Sequence, residues 1–486
     1  MTQNTLYWHD YETFGLDPAR DRPVQFAGIR TDEDLNIIGE PLNIMARPAP
    51  DTLPHPISSL ITGITPQQAL EQGLPEAEFI ARILAELSQP GTCGVGYNSL
   101  RFDDEVTRNT LYRNLYSPYD REWQNGNSRW DIIDTVRACH DLRPEGIVWP
   151  RRVDADRPSF RLEELTAANG ISHEQAHDAL SDVYATIAIA KLIKEKQPRL
   201  YDFLYRLRRK KEVLKYIDLD EMTPILHTSG MYGSDHGSTR LVVPVAAHPT
   251  NSNSIIVFDL AQNPSMLLEL GAKTLQERLY TANQDLREGV ERPALKQVLI
   301  NKCPVIAPTS TLTGDAAKRL RIDLITGMRN RQTLIQERKT IRQKLAKIFE
   351  SRDFEPVTDP DLMIYSGGFF NDSDKALMNT VHKTDAQQLG TQSWNFADKR
   401  LAEMLFRYRA RNYPETLGTD EQAQWLEHCR GRLVDGESGH LNLTDFYAEI
   451  EQLRAQQTVD EQGNKLLDDV AAYGAGLESF VRLAAE

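Results

Sequence analysis

Two acidic side chains near the start of the chain, Asp10 and Glu12, stand two residues apart inside an aromatic stretch at residues 7–14. Aromatic enrichment is typical of a β-strand, and residues two apart in a strand point to the same face. The two carboxylates are therefore expected side by side, where like charges repel unless a divalent cation neutralises them. Short acidic motifs also occur as solvated acids on edge strands, so the pair needs partners elsewhere in the chain.

Three further residues supply such partners. Asp103 follows a buried-type strand at residues 92–98, at the point where a helix is predicted to begin. His177 lies in a predicted loop, and Asp182 lies about one turn inside the next helix. Carboxylates without a cysteine partner suit Mg²⁺ or Mn²⁺ rather than zinc. Two such cations can hold a scissile phosphate, and a histidine can accept the proton of an attacking water.

The elements that position these residues alternate between strands and helices over residues 1–197, which predicts an α/β layered domain. Short β-type runs separated by turn residues follow, and they predict a small barrel-like β-domain with helical insertions. From about residue 354 the pattern is helical to the end. Strands are predicted at 25–31, 35–39, 241–245, 254–258 and 297–300, and amphipathic helices at 76–87, 398–411 and 421–432.

Composition sets limits on the class of protein. The 486 residues are 40% hydrophobic and 26% charged, which is ordinary for globular proteins. There is no run of 18 apolar residues and no basic-then-apolar N-terminal signal, so no membrane association and a cytoplasmic location are expected. The four cysteines show no paired metal spacing and are interpreted as reduced structural residues.

Charge is segregated along the chain. The net charge of −14 argues against a protein that coats DNA indiscriminately, although local patches matter more than the sum. Residues 199–215 hold seven basic residues against two acids, and residues 315–352 hold eleven against four. The last sixty residues reverse this balance, with twelve acids and five bases.

Three segments, at residues 9–15, 98–103 and 177–182, resemble the exonuclease motifs of the DEDD superfamily in its histidine-containing branch. Residues 96–98, 101–109, 159–162 and 407–412 resemble the bacterial exonuclease I family more closely, so the resemblance covers nearly the whole chain. It implies an α/β RNase H-like nuclease domain at residues 1–197, an SH3-like β-barrel domain at 198–352 and an all-α C-terminal domain at 353–486.

The resemblance also implies roles for individual residues. Asp10, Glu12 and Asp182 become metal ligands for two Mg²⁺ ions, with Mn²⁺ as a substitute. Asp103 becomes the fourth catalytic carboxylate, and His177 becomes the general base. Glu12 and Arg161 are placed at the substrate. The DNA contacts that it implies are Arg108, Tyr119, Trp123, Arg137, Phe160, Lys210, Tyr280 and Phe369. Cations of this kind hold phosphates, and aromatic rings stack on unpaired bases.

The function that the resemblance implies is an exodeoxyribonuclease of DNA repair and recombination. It would degrade single-stranded DNA in the 3′→5′ direction to 5′-mononucleotides, as a monomer. The resemblance further implies a partner, the acidic C-terminal tail of single-strand DNA-binding protein, at Arg143 and residues 319–338. Residues 312–315 and Thr223 depart from the basic pattern of the family there.

Two other functions remain open at this point. An exoribonuclease, or a nuclease for short oligonucleotides, can use the same metal site, but a short substrate needs no long groove from the remaining roughly 290 residues. A single-strand-binding scaffold with an inactive nuclease fold is the alternative outside the enzymes. The complete set of four acids and His177 weighs against it.

Overall fold

The computed structural model describes residues 4–152, 157–173, 178–233, 235–350, 356–456 and 459–482. The chain divides into two compact units. The first unit comprises Met1–Ser128, His173–Tyr184 and Glu355–Glu486, and the second comprises Arg129–Ser172 and Ala185–Phe354. Among the helices of these described ranges, none has both the length and the apolar character that a membrane crossing requires.

Ten strands and nineteen α-helices form within the described residues. The first part of the chain contains β1 Thr5–Thr13, β2 Pro23–Thr31, β3 Leu42–Met45, α1 Pro56–Thr62, α2 Pro66–Gln72, α3 Glu76–Leu87, β4 Thr92–Gly96, α4 Asp103–Arg113, β5 Ser128–Asp131, α5 Ile133–Leu142, α6 Leu162–Ala168 and α7 Ala179–Lys196. The middle part contains α8 Pro198–Arg206, α9 Lys210–Val213, β6 Ile225–Thr228, β7 Thr239–Ala247, β8 Ser254–Asp259, α10 Ser265–Glu269, α11 Ala272–Tyr280, β9 Leu295–Leu299, β10 Val305–Pro308, α12 Gly314–Arg319, α13 Leu324–Gln336 and α14 Arg338–Ile348. The last part contains α15 Asp372–Val381, α16 Arg400–Asn412, α17 Thr419–Leu433, α18 Leu443–Arg454 and α19 Glu461–Arg482.

The sheet of the first unit has the strand order β3-β2-β1-β4. Strand β1 pairs antiparallel with β2 and parallel with β4, so it lies inside the sheet. Tyr7, Tyr11 and Phe26 form a buried core with Phe79 and Ile83 of α3. This layer of helix on sheet is the arrangement that the alternating pattern predicts.

One predicted strand is wrong. A turn at residues 32–35 is followed by an isolated bridge between Thr31 and Ile37 rather than by a strand, and the third strand lies further along at β3. Leu35 is fully buried and has a φ of 68°, a left-handed conformation that cannot continue a strand. Of the apolar residues in this run, Leu35 is buried in the turn, whereas Ile37 and Ile38 are exposed, so the run is not the buried face of a strand.

The C-terminal helices belong to the first unit. Trp425, Phe446, Leu467 and Val470 from α17, α18 and α19 form a buried core, which Leu53 from the N-terminal part of the chain joins. The predicted helices at 398–411 and 421–432 are α16 and α17.

The second unit contains a five-stranded sheet with the order β10-β6-β7-β8-β9. All of its pairings are antiparallel. Leu241, Val243 and Phe258 of this sheet share a buried core with Leu334 and Leu345 of α13 and α14. The predicted short strands correspond to β7, β8 and β9, as expected for a small barrel-like domain with helical insertions.

Candidate metal centre and surrounding surfaces

Strand β1 presents Asp10 and Glu12 on one face of the sheet. Both are half-buried, whereas Tyr11 between them is buried. This alternation confirms the predicted period of two. In the antiparallel register, Glu12 lies opposite Gln25 and Asp10 lies opposite Ala27 of β2.

Two helix N-termini bring the other acids. After β4 ends, Asn98 adopts a φ of 64°, which asparagine tolerates, and α4 begins five residues later at Asp103. Asp103 is buried, and its Oδ1 accepts a hydrogen bond from the backbone N–H of Tyr11 at 3.2 Å. Asp182 lies in the first turn of α7.

Carboxylate oxygens of Asp10, Glu12 and Asp182 lie within 4.8 Å of one another, close enough to share a metal ion. Burial, followed by the charges of Asp182, Asp103 and Asp178, raises the pKa of Glu12 to about 8. Burial and the neighbouring acids also raise the pKa of Asp10 well above its usual range. The cluster therefore carries the like-charge repulsion that a divalent cation relieves.

The predicted general base, His177, lies outside the described residues. Another histidine, His173, is buried against the metal centre, with its Nε2 2.5 Å from Oδ1 of Asp182. A separation of nine residues fits neither a strand nor a helix period, so the sequence contained no signal for this contact.

Two more residues near the acids were not predicted. Asp178 caps α7, since its Oδ2 accepts the backbone N–H of Ser181 at 3.1 Å. Gln25 donates from Nε2 to Oδ1 of Asp178 at 3.2 Å. An aspartate immediately before an apolar helix is a recognised capping signal, so Asp178 was open to prediction. The place of Gln25 beside the acids could be recognised only from the register of β1 and β2.

An aromatic pocket in the first unit brings together three predicted DNA-binding residues, Tyr119, Trp123 and Phe369. The pocket has a volume of about 290 Å³. Trp123 is 64% exposed and Phe369 is 87% exposed, which is unusual for large apolar side chains. The rings of Tyr119 and Phe369 meet edge to face at 5.9 Å.

Arg108 lies beside this pocket, with its guanidinium 5.3 Å from the ring centre of Tyr119. The guanidinium donates to both carboxylate oxygens of Glu122, at 2.7 and 2.8 Å, and to Glu105 at 2.9 Å. Its charge is therefore balanced within the protein, and its predicted DNA contact stays a prediction.

The second unit contains the remaining predicted DNA-binding residues. Arg137 donates to Asp134 at 2.6 Å and lies 5.8 Å from the ring centre of Phe160. Arg161 precedes α6, and its exposed guanidinium lies 3.7 Å from Glu164. Tyr280 ends α11 and is 44% exposed.

Lys210 begins α9 and is exposed, and its Nζ donates to the amide oxygen of Asn253 at 2.7 Å.

The N-terminal part, which presents the acids on an α/β sheet, is of the exonuclease class. Its residues 7–190 match the family model described as Exonuclease. Residues 208–351 match the Exonuclease I SH3-like domain, and residues 358–477 match the Exonuclease I C-terminal domain. The chain belongs to the exonuclease I family. The predicted fold class is confirmed, whereas the exact domain boundaries stay a prediction.

Similar proteins cover nearly the whole chain. Exodeoxyribonuclease I of Escherichia coli (strain K12) is 49% identical over 461 residues, which are 95% of this chain and 95% of that protein. The crystal structure of E. coli exonuclease I in complex with a dA16 oligonucleotide has a TM-score of 0.94 at 48% identity and covers 98% of this chain and 100% of that one. A zinc-bound E. coli complex with single-stranded DNA has a TM-score of 0.93 at 47% identity, with the same coverage.

Proposed function

We propose that the chain is a metal-dependent exodeoxyribonuclease that degrades single-stranded DNA 3′→5′ to 5′-mononucleotides in DNA repair and recombination. The observation that carries this function is the close approach of Asp10, Glu12 and Asp182, whose oxygens lie within 4.8 Å of one another. The relatives of the same length bear the name exodeoxyribonuclease I, and solved structures of the family contain DNA oligonucleotides.

The residues present fit a pair of Mg²⁺ ions, with Mn²⁺ as a substitute. All the ligand candidates are carboxylates, which hard divalent cations prefer. The raised pKa of Glu12 has burial and neighbouring acids as its causes, so added positive charge would relieve the repulsion. When bound, such cations polarise the phosphate and make water a stronger nucleophile.

The surrounding residues have separate tasks in this proposal. Asp10, Glu12 and Asp182 would hold the cations, and the backbone N–H of Tyr11 fixes Oδ1 of the fourth carboxylate, Asp103. Glu12 also contacts the terminal nucleotide. His177 accepts the proton of the attacking water, whose oxygen joins phosphorus while the 3′ oxygen leaves. Arg161, with an exposed guanidinium, binds a phosphate.

Exposed and half-buried side chains supply the contacts to the DNA strand. Tyr119, Trp123 and Phe369 line one aromatic pocket and can stack on unpaired bases. Arg108 supports this pocket from beside Tyr119. In the second unit, Arg137 and Lys210 offer positive charge, and Phe160 and Tyr280 offer rings.

The test compares end-labelled single-stranded DNA, duplex DNA and RNA, each with Mg²⁺ and with EDTA. We expect Mg²⁺-dependent release of 5′-mononucleotides from the 3′ end of single-stranded DNA. Products with 3′-phosphates, or loss of a 5′ label first, would contradict the polarity. Faster cleavage of RNA would instead indicate an exoribonuclease.

The role of His177 has its own test. The variant His177→Ala should lower kcat by roughly 10²–10⁴-fold, the usual contribution of a general base. Affinity for single-stranded DNA, measured in EDTA, should stay near that of the wild type. A small loss of kcat with an unchanged pH profile would contradict the assignment.

We also propose the acidic C-terminal tail of single-strand DNA-binding protein as a partner. Leu324, Ile325 and Met328 of α13 are exposed apolar side chains within the basic segment 319–338. Such a surface suits a peptide that is both acidic and apolar. Arg143 is placed with them by the family resemblance.

A labelled ten-residue peptide of acidic and apolar residues tests this partner by fluorescence anisotropy. Ile325→Asp should abolish peptide binding, whereas Ile61→Asp, at an exposed position of α1, should not. Equal binding by both variants would contradict the site. A monomeric state and a cytoplasmic location complete the proposal, and light scattering after gel filtration tests the former.

A further inference from the structure

Gln25 is a polar residue inside an apolar, buried strand. It lies between Val24 and Phe26 in β2 and is only 5% exposed. A buried amide costs free energy unless it is hydrogen-bonded. Its Nε2 donates to Oδ1 of Asn43 on β3 at 3.1 Å and to Oδ1 of Asp178 at 3.2 Å. Both N–H groups of the amide therefore join it to other elements.

The backbone of Gln25 is fixed next to the metal centre. It lies directly opposite Glu12 in the antiparallel pairing of β1 and β2. Residues that oppose each other in such a pair share a face of the sheet. The side chain of Gln25 therefore projects from the same face as the carboxylate of Glu12.

The other end of the bridge is the start of α7. Asp178 accepts Gln25 with Oδ1 and the backbone N–H of Ser181 with Oδ2, so both of its oxygens are engaged. Its backbone carbonyl accepts the N–H of Asp182 at 3.0 Å. Asp178 therefore fixes the first turn of α7, in which Asp182 lies, and it directly follows His177 in the sequence.

We infer that Gln25 is a positioning residue for the metal centre: it holds the start of α7 at a fixed distance from β1. It thereby sets the separation of Glu12 and Asp182, two ligands that come from different elements. The inference rests on the proposed metal-dependent nuclease function, since it assigns a purpose to the spacing of those ligands. Residues that orient metal ligands typically change metal affinity or activity by about 10–100-fold when mutated.

The first variant is Gln25→Glu, which keeps the size of the side chain and replaces its donors with a carboxylate facing Asp178. The added negative charge alone would strengthen cation binding, whereas lost positioning weakens it. We expect the affinity for Mn²⁺, measured from the free ion by electron paramagnetic resonance, to fall about tenfold or more. Added charge therefore predicts tighter Mn²⁺ binding, whereas lost positioning predicts weaker Mn²⁺ binding.

The second variant reverses the hydrogen bond. In Gln25→Glu combined with Asp178→Asn, the new amide at position 178 can donate to the new carboxylate and still accept the N–H of Ser181. Asn43 can rotate its amide to donate as well. We expect the double variant to recover most of the Mn²⁺ affinity and most of the kcat that Gln25→Glu loses. Effects that simply multiply would show that the two residues are not coupled.

The matched control is Gln67→Glu, which removes another glutamine donor of the first unit, from Nε2 to the carbonyl of Asp469. It should leave Mn²⁺ affinity within about twofold of the wild type, because its partner lies on α19 rather than α7. If Gln25→Glu does not fold, Gln25→Met removes the donors without adding charge and should show the same loss of Mn²⁺ affinity.

The outcomes separate this inference from the proposed function. Wild-type protein that lacks Mg²⁺-dependent cleavage overturns the function. Wild-type protein that cleaves, together with folded Gln25 variants that bind Mn²⁺ as tightly, overturns the positioning role. Affinity for single-stranded DNA in EDTA should stay within about twofold in every variant, which distinguishes displaced ligands from a damaged fold.

Discussion

The carboxylates of Asp10, Glu12 and Asp182 lie in the same compact unit as those of Asp51 and Asp361, but their surroundings have opposite charge. Around Glu12, the neighbouring groups that shift its pKa are acids, and the pKa is raised to about 8. Around Asp51 they are chiefly arginines. Burial alone would raise its pKa, yet the arginines hold it well below the usual range.

The second cluster is satisfied by the chain itself. Arg411 and Arg432 bind Asp51 at 2.8 and 2.7 Å, and the same two side chains bind Asp361 at 2.5 and 3.0 Å. Asp51 comes from the N-terminal part of the chain, and the other three come from the C-terminal part. Buried acids with internal cations therefore hold the fold together. The half-buried acids of the metal centre instead face other acids, and a divalent cation from solution would relieve that repulsion.

The same substitution should have opposite consequences in the two clusters, and the largest effect is expected at the metal centre. Asp182→Asn should lower kcat by about 10³-fold or more, roughly 4 kcal/mol of transition-state stabilisation. The thermal stability of the metal-free protein should stay equal or rise, because one repelling charge is removed. Mg²⁺ should raise the Tm of the wild type and not that of the variant. Cleavage near the wild-type rate at saturating Mg²⁺ would contradict the ligand assignment.

Asp51→Asn should instead destabilise the protein by about 3–5 kcal/mol, because it leaves buried arginines without a counter-charge. Urea unfolding at pH 7 measures the loss. The control is Asp372→Asn, which removes a fully exposed acid 3.8 Å from Lys375 and should leave the urea midpoint close to that of the wild type. Equal midpoints for the two variants would show that the arginine cluster contributes nothing beyond a surface pair.

Low pH should lower the stability of the protein through Glu76, one of the acids that are paired with arginines. Burial alone would raise its pKa, but Arg113 and Arg22 outweigh burial and lower the pKa to about 2. A depressed pKa gives stability that is present above about pH 4.5 and is lost as the pH falls towards 2, for a total of about 3 kcal/mol. Glu76→Gln should therefore lose less stability than the wild type between pH 5 and pH 3. Parallel loss in both proteins would contradict the assigned pKa.

These two clusters also show which side-chain contacts can be predicted from the sequence and which cannot. Asp10 and Glu12 were predictable because a period of two puts them on one face, and Asp182 because it lies in the first turn of an apolar helix. The partners of Asp51 were not predictable. Arg411 and Arg432 lie about 360 and 380 residues from it and Arg22 lies 29 residues away, and no local period relates side chains that meet only through tertiary packing.

Residues near the metal centre were missed for related reasons. His173 contacts Asp182 at a separation of nine residues, which matches neither a strand period nor a helix period. Gln25 is a polar residue in a largely apolar, buried strand, and only its pairing with Glu12 shows that it lies beside the metal centre. Leu35 shows the reverse case, in which an apolar run predicted a strand and the structure has a turn with one buried side chain. Long elements follow from patterns, whereas the contacts between elements do not.

The smallest effects are expected at two lysine side chains, which differ in whether their partner is neutral or charged. Lys210 donates to a neutral amide, that of Asn253, at 2.7 Å, whereas Lys215 lies 2.6 Å from the carboxylate of Glu212. A DNA phosphate that takes the place of the Asn253 amide as the acceptor would give Lys210 a full negative counter-charge. Each phosphate neutralised on a single strand contributes about −0.7 to the slope of log affinity against log salt. Lys210→Gln should therefore make that slope shallower by about 0.7, and Lys215→Gln should change it much less.

Filter binding of a long single strand in EDTA, from 50 to 300 mM salt, measures both slopes without cleavage. Trp123→Ala is the matched variant from the aromatic pocket: it should weaken binding by about 1–3 kcal/mol at every salt concentration and leave the slope unchanged, since stacking releases no counterions. A dinucleotide has a single bridging phosphate, which the metal centre would hold, so it should be bound equally by Lys210→Gln and the wild type. Equal slopes for Lys210→Gln, Lys215→Gln and the wild type would assign Lys210 to its own domain rather than to the DNA.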